Sequence, residues 1–319
     1  MKRLMKDEKG VTIVLVALLI VALVGAAALC VDVGRLYVER QHLVNACDAA
    51  ALAGGLELPR QAPATLKAGE AALANNMPDY AVSFPTTDRL RVDGQAPVEF
   101  AFAKVLGFTD RMVTAYAVVE RIQGLSSTMG LRPWGLVAKT VNGEYEFPDL
   151  QFGDLRTLML RHCQKDPDAL GARPGDFLAV ALGAPGANEY RDNILYGYQG
   201  TLEVGDWIKT EPGGMAGPTV SAVDTLVSAT EDPDSPWYGE TYDNYTYGNP
   251  RVILVPVVTP FDSGREAVQI LGFAAFFVTA FAKDKAQTYQ VQGAFIEYCT
   301  STGEGGGPDF GLSVLKLIE

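Results

Sequence analysis

Histidine is nearly missing from this 319-residue chain, which has only His42 and His162. Neither lies beside a G-x-S-x-G nucleophile elbow, and no H-E-x-x-H helix or phosphate-cradling P-loop occurs. Imidazole-based hydrolysis and phosphoryl transfer therefore lack their usual residues, and His162, on an expected strand, reads as structural. A carboxylate-only hydrolase stays open, because spatial pairing of Asp and Glu leaves no trace in a sequence. Cysteine is scarce as well: Cys30, Cys47, Cys163 and Cys299 make four, with no C-x-x-C pair, which argues against zinc. Basic residues are outnumbered, 26 Lys and Arg against 38 Asp and Glu, for a net charge of −12. So acidic a chain offers no basic face to a phosphate backbone, which argues against nucleic acid as a partner, and the acidity reads as solubility.

Charge of either sign is absent from Val11 to Val31, VTIVLVALLIVALVGAAALCV, a run of 21 residues. As a helix it rises about 30 Å, the thickness of a bilayer's hydrocarbon core. A cleaved secretory signal is the rival reading, and Ala26-Ala27-Ala28 resembles a cleavage site, but the apolar part of such a signal is only about 7–15 residues long. The expectation is a retained helix over 11–33. Lys2, Arg3, Lys6 and Lys9 precede the run and only Arg35 and Arg40 follow closely. The positive-inside bias then leaves residues 1–10 as a cytoplasmic stub and exports the C-terminal bulk, a single-pass cell-membrane protein with lipid as a partner.

Proline is lacking from the run's end until Pro59. The mixed apolar and polar spacing beyond Val31 predicts one continuous rod from Val11 to Ala53, stopped by Gly54-Gly55. Ala22, Ala26, Cys30 and Gly34 recur every fourth position, a face of small side chains that lets another helix approach closely; ordinary Ala-rich membrane composition explains it equally well. Asp32 and Arg35 mark the boundary with water, or pair with a neighbouring subunit. Asp48 shares a face with Val44, Leu52 and Gly55, where a partner could lie opposite.

The basic N-terminus, the apolar run, Val31-Asp32-Val33-Gly34-Arg35-Leu36-Tyr37 and then Leu43-Val44-Asn45-Ala46-Cys47-Asp48-Ala49-Ala50-Ala51-Leu52-Ala53-Gly54 together resemble the N-terminal module of TadE/TadG-like proteins of the bacterial tight-adherence (Flp pilus) system. Val98–Phe108 and Val113–Val119 are similar to that family's amphipathic helix and closing strand, and Pro133-Trp134-Gly135-Leu136 and Gly205-Asp206-Trp207 to features of its larger members. The resemblance implies a pilus-assembly or minor-pilin-like role at the envelope, other pilus or secretion-machine subunits as partners, oligomer formation and no catalysis. Gly10-Val11 fits the family's processing junction, but Leu15 stands where its pilin-like members carry Glu. The D-x-S-x-S metal motif of members with a von Willebrand A domain does not occur.

The expected fold is α+β: the long helix, a small pilin-like α+β unit within 34–123, and a β-rich, sandwich-like or barrel-like extracellular domain over 131–319. Gly (33) and Pro (18) suit a turn-rich β fold. Residues 61–76 pattern as a short helix, Arg89–Asp93 and Met112–Ile122 as strands, Val98–Leu106 as a helix, and Gly124–Gly130 as the joint. Beyond it strands are expected at 136–140, 144–147, 155–162, 177–182, 200–204, 251–258, 267–281, 288–299 and 312–317. The apolar stretch from Ile270 to Ala282 is too short to span a bilayer and reads as a buried strand. Asp192-Asn193-x-x-Tyr196-Gly197 echoes Asp243-Asn244-x-x-Tyr247-Gly248, as a duplicated hairpin or as independent turns. Cys163 and Cys299 could form a disulfide in an exported domain or remain buried thiols. No cofactor is expected. The acidic, aromatic segment Glu231–Asp243 offers oxygen ligands of the kind Ca²⁺ takes, but it matches no EF-hand loop, and a solvated loop is the plainer reading. Its Trp237, Tyr238 and Tyr242, with Tyr245 and Tyr247, would equally make a contact patch. Besides pilus assembly, a tethered adhesin or sensor and a membrane-tethered hydrolase remain as alternatives.

Overall fold

The computed structural model describes residues 8–141, 144–146, 150–160, 177–211, 215–260, 267–283 and 289–318. Helix α1 (Glu8–Gly55) is unbroken for 48 residues, about 72 Å, and α2 (Gln61–Ala74) turns back beside its last third. Strands β1 (Tyr80–Thr86), β2 (Arg89–Glu99) and β3 (Asp110–Gln123) form a meander under the two helices, with a 3₁₀ turn (Ala103–Leu106) between β2 and β3.

The alanines of this region are a packing device. Ala46, Cys47, Ala50 and Ala51 of α1 meet Ala64, Ala68 and Ala72 of α2, with Leu90, Val92, Ala117 and Val119 of the sheet beneath. Side chains this small let two helices and a sheet share one narrow core. Glycine at the rod's end serves the same purpose: a Cβ on Gly54 would lie 2.7 Å from the Ala64 carbonyl oxygen and 2.8 Å from the Ala68 Cβ. Both Gly54 and Gly55 are still helical, so close approach as well as termination requires them. Ala68 is fully buried, and Ala68→Leu should force the helices apart at a cost of about 1–3 kcal/mol. Urea unfolding of the full chain measures this, and an unchanged midpoint would refute the close-packing account.

Next come β4 (Leu125–Thr128), β5 (Trp134–Val137), β6 (Lys139–Val141), β7 (Glu144–Glu146), β8 (Leu155–Leu160), β9 (Phe177–Ala181), α3 (Ala187–Tyr196), β10 (Leu202–Glu203), β11 (Trp207–Thr210) and α4 (Ala216–Glu231). The chain closes with β12 (Val252–Val258), β13 (Ala267–Lys283), β14 (Tyr289–Ile296), β15 (Tyr298–Thr300), β16 (Glu304–Gly305) and β17 (Leu312–Leu317). The main sheet runs β11-β9-β5-β12-β13-β14-β8, and β11 also pairs with β13, so five of its strands close on themselves. The 17-residue β13 is long enough to serve both this closure at its start and β14 at its end.

The apolar runs of β12 and β13 reflect burial on both faces. Ile253, Val255, Ala274 and Phe276 point into one core; Leu254, Ala275, Phe273 and Phe277 point into the other. The 270–282 stretch is accordingly strand, as its length indicated. The first core is capped by α3 and α4 through Tyr190, Ile194, Ala222, Val223 and Leu226. Alongside the expected strands, the unit thus carries two helices, and β5 pairs with β12 in parallel. The α+β class itself holds.

Further readings change. Val98 and Glu99 are the end of β2, in register with Arg111 and Asp110, and only Ala103–Leu106 is helical, as a single 3₁₀ turn. The joint at 124–130 contains β4, which pairs with β10 and β16. The echoed motifs are not a duplicated hairpin: Asp192–Tyr196 is helical in α3, whereas Asp243–Gly248 is a turn. Strand β17 pairs with β3, and β15 pairs with β17, so the sheet begun by β1, β2 and β3 is completed by two strands that follow the main sheet along the chain.

Buried polar groups mark the larger unit's interior. Trp134 Nε1 donates to the Tyr190 hydroxyl at 2.8 Å, and Thr219 donates to the same oxygen at 3.3 Å. Near them Glu211 is buried; one carboxylate oxygen accepts the Gly186 N–H at 3.4 Å and the other has no partner among the described residues. Burial raises its pKa above the ordinary 4.5. The folded state therefore holds the protonated form better than the unfolded chain does. Stability from this group is complete below pH 4.5 and is lost as pH rises through the raised folded value. Glu211→Gln removes that titration, so the variant should match the parent at low pH and exceed it by about 1 kcal/mol at neutral pH. Thermal melts across that window give the comparison, with a pH-independent difference as the contrary result.

Candidate functional site

Residues 12–31 of α1 are exposed apart from the half-buried Ala28, and the helix is long and apolar enough to cross a bilayer. Ala22, Ala26, Cys30 and Gly34 lie along it, all exposed, and Cβ atoms built on Gly25 and Gly34 would meet nothing within 4 Å. The small-residue face is thus open within one copy of the chain. Gly10 and Val11 fall within the helical backbone of α1.

Asp32, just past the uncharged run, has a definite structural task. It is buried (3 % exposed), and its carboxylate accepts N–H groups from Ala101 at 2.7 Å, Phe102 at 3.1 Å and Ala103 at 2.7 Å. These are the orphan donors at the start of the 3₁₀ turn, so Asp32 caps an element of the opposite hairpin rather than facing a neighbouring subunit. Arg35 is exposed at the mouth of an open cleft of about 550 Å³ between α1 and the end of β2, lined also by Val31, Gly34, Val38, Pro97 and Glu99. Glu99 pairs with Lys104 at 2.9 Å, which holds its carboxyl below the usual range.

Farther along the rod, Asp48 is half-buried and burial raises its pKa. Of its expected face mates, Leu52 is 39 % exposed and Gly55 is buried. His42 is exposed. Cys47 packs its sulfur 3.6 Å from that of Met77, in the alanine core. Cys299 is a buried free thiol, its pKa pushed up to about 12 by burial, while Cys163 and His162 lie outside the described residues.

A second cluster went unread in the sequence because its members are far apart along the chain. The Arg60 guanidinium bonds the Glu57 carboxylate at 2.5 Å and the Tyr245 carbonyl at 2.5 Å, and stacks 4.0 Å from the Tyr245 ring centroid. Glu57 is 1 % exposed and also accepts the Tyr247 N–H at 3.2 Å. The Tyr245 hydroxyl reaches the Glu297 carbonyl at 2.6 Å, and Tyr247 stacks on Tyr298 with centroids 5.7 Å apart. The aromatic loop is therefore turned partly inward, as the hinge plate joining the α1–α2 corner to the larger unit, while Tyr238 (57 %) stays exposed. Its Glu240 is occupied by Thr246 and Asn249. Among the described residues, no three His, Cys, Asp or Glu side chains converge as a metal site.

Residues 10–62 match the TadE/G-like Flp pilus-assembly family model. The N-terminal module is TadE/G-like. The matched segment takes in the small-residue face, Asp32, the alanine core of α1 and the Glu57–Arg60 corner, so the geometry above is largely that of the Tad module. No curated protein and no solved structure matches the chain.

Proposed function

We propose that the chain is a structural, non-enzymatic component of a Flp, or tight-adherence, pilus-assembly system, minor-pilin-like in its build. One N-terminal helix holds it in the cell membrane, with residues 1–10 cytoplasmic and the remainder outside. Its rod associates sideways with other pilus or secretion-machine helices through Ala22, Ala26, Cys30 and Gly34, and its larger unit makes the extracellular contacts. The observation that carries this reading is the coincidence of the Tad match with a long apolar helix whose small-residue face is exposed. In lipid, such faces associate by close van der Waals packing, because there is no hydrophobic drive between helices.

Replacing Ala22, Ala26 and Gly34 together by Leu should leave the exported units folded, since all three positions are exposed and a Cβ built on Gly34 would meet nothing within 4 Å. Recovery of membrane partners in a pull-down of the full chain should fall about tenfold, equivalent to ~1.4 kcal/mol. Undiminished recovery would refute helix-mediated assembly. Protease added to intact cells should remove the C-terminal bulk, and N-terminal sequencing of membrane-extracted protein should separate an intact start from cleavage at Gly10-Val11 or after the alanine triplet.

A further inference from the structure

We propose that the hairpin tip between β2 and β3 is a second membrane contact, a loop that seats Phe102 and Phe108 in the outer acyl–headgroup boundary beside the point where α1 leaves the bilayer. This rests on the reading of α1 as a membrane anchor.

Height is the first argument. Asp32 directly follows the uncharged run, so if Val11 begins the span, Asp32 marks its outer limit about 30 Å away. Three N–H groups of the tip are held within 3.1 Å of its carboxylate, which fixes the loop at that level of the rod. Side-chain character is the second. Phe102 is 48 % exposed and Phe108 62 %, two large apolar side chains on one short turn, beside Val31 and Val33 of α1, themselves 47 % and 55 % exposed. Together they make an apolar collar continuous with the apolar surface of the span, and an exposed patch of this kind marks a membrane or partner contact.

Polar satisfaction is the third. A loop entering the interface must not carry bare backbone groups. Here Asp32 takes the N–H groups of 101–103, Gly107 and Phe108 donate to the carbonyls of Lys104 and Ala103, and Phe100 donates to Thr109. The loop's one cation, Lys104, is paired with Glu99 at 2.9 Å and lies where a long side chain can extend towards water. The last cross-strand pair of the hairpin, Glu99 with Asp110, then marks where water begins. A bilayer fits better than a protein partner because the collar runs on into lipid-facing α1 without a polar break on the Val31–Val33 side.

The experiment uses the full chain reconstituted in phosphatidylcholine vesicles, with tryptophan introduced separately as F102W, F108W and, at the middle of the span, I20W. All three positions are exposed within the chain, so the larger ring is accommodated. Emission is read as the difference from the parent protein, which has three tryptophans. For F102W and F108W the expected result is blue-shifted emission, loss of emission with lipid brominated near the headgroup, and protection from aqueous acrylamide. I20W should respond instead to bromine deep in the acyl chain. Water-like emission and free acrylamide quenching at both loop positions, with I20W still quenched by deep bromine, would overturn the loop contact and leave the anchor standing. Failure of I20W to respond would overturn the anchor and the loop contact with it.

Discussion

Arg60→Ala is expected to destabilise the chain by about 3–5 kcal/mol, the cost of leaving a buried carboxylate without its counter-charge. Glu57 is 1 % exposed, and Arg60 is its ion-pair partner at 2.5 Å. The same guanidinium bonds the Tyr245 carbonyl and lies over its ring, so the substitution also loosens the plate joining the first unit to the larger one. Two measurements check this. Urea unfolding of the purified full chain should shift to lower denaturant and separate into two transitions, and limited proteolysis should begin within 240–249. Glu57→Gln together with Arg60→Ala should be less damaging than Arg60→Ala alone, because the stranded charge is then gone. A double variant as unstable as the sum of the singles would show that the pair does not couple the units.

Asp32→Ala should destabilise the hairpin tip, because three backbone donors at 101–103 lose a charged acceptor. Asp32→Asn should be only partly better, since its amide nitrogen turns donors towards donors. The local readout is hydrogen exchange: the amides of Ala101, Phe102 and Ala103 should lose protection while those of β12 and β13 keep theirs. Unchanged exchange at 101–103 would mean that Asp32 is only a marker of the membrane boundary.

Much of the N-terminal module was legible because its signals are local. An uncharged run of bilayer length, a proline-free continuation and small residues at fixed spacing each report on consecutive turns of one helix, and α1 runs unbroken through them. The strands of the main sheet's core were legible for a similar reason: residues buried on both faces must be apolar without interruption, as along Ile253–Val258.

Other segments carry no such local mark. Val98–Phe108 has the spacing of an amphipathic helix, yet its first two residues are claimed by cross-strand bonds to β3 and the next few by the Asp32 carboxylate. Helix α4, AGPTVSAVDTLVSATE, is rich in Val, Thr and Ser, which favour no helix in isolation; it forms where Ala222, Val223 and Leu226 are buried against the sheet. The candidate site residues divide the same way. The open face of Ala22, Ala26, Cys30 and Gly34 follows from helical periodicity, whereas the task of Asp32 depends on atoms 69 to 71 residues away and that of Arg60 on a carbonyl 185 residues away. Sequence alone determined the long apolar helix and its small-residue stripe, because a helix satisfies its own backbone and needs nothing distant to define it. Only the tertiary structure decided what holds the following units to that helix, because a buried charge is satisfied by whichever distant donors the fold brings to it.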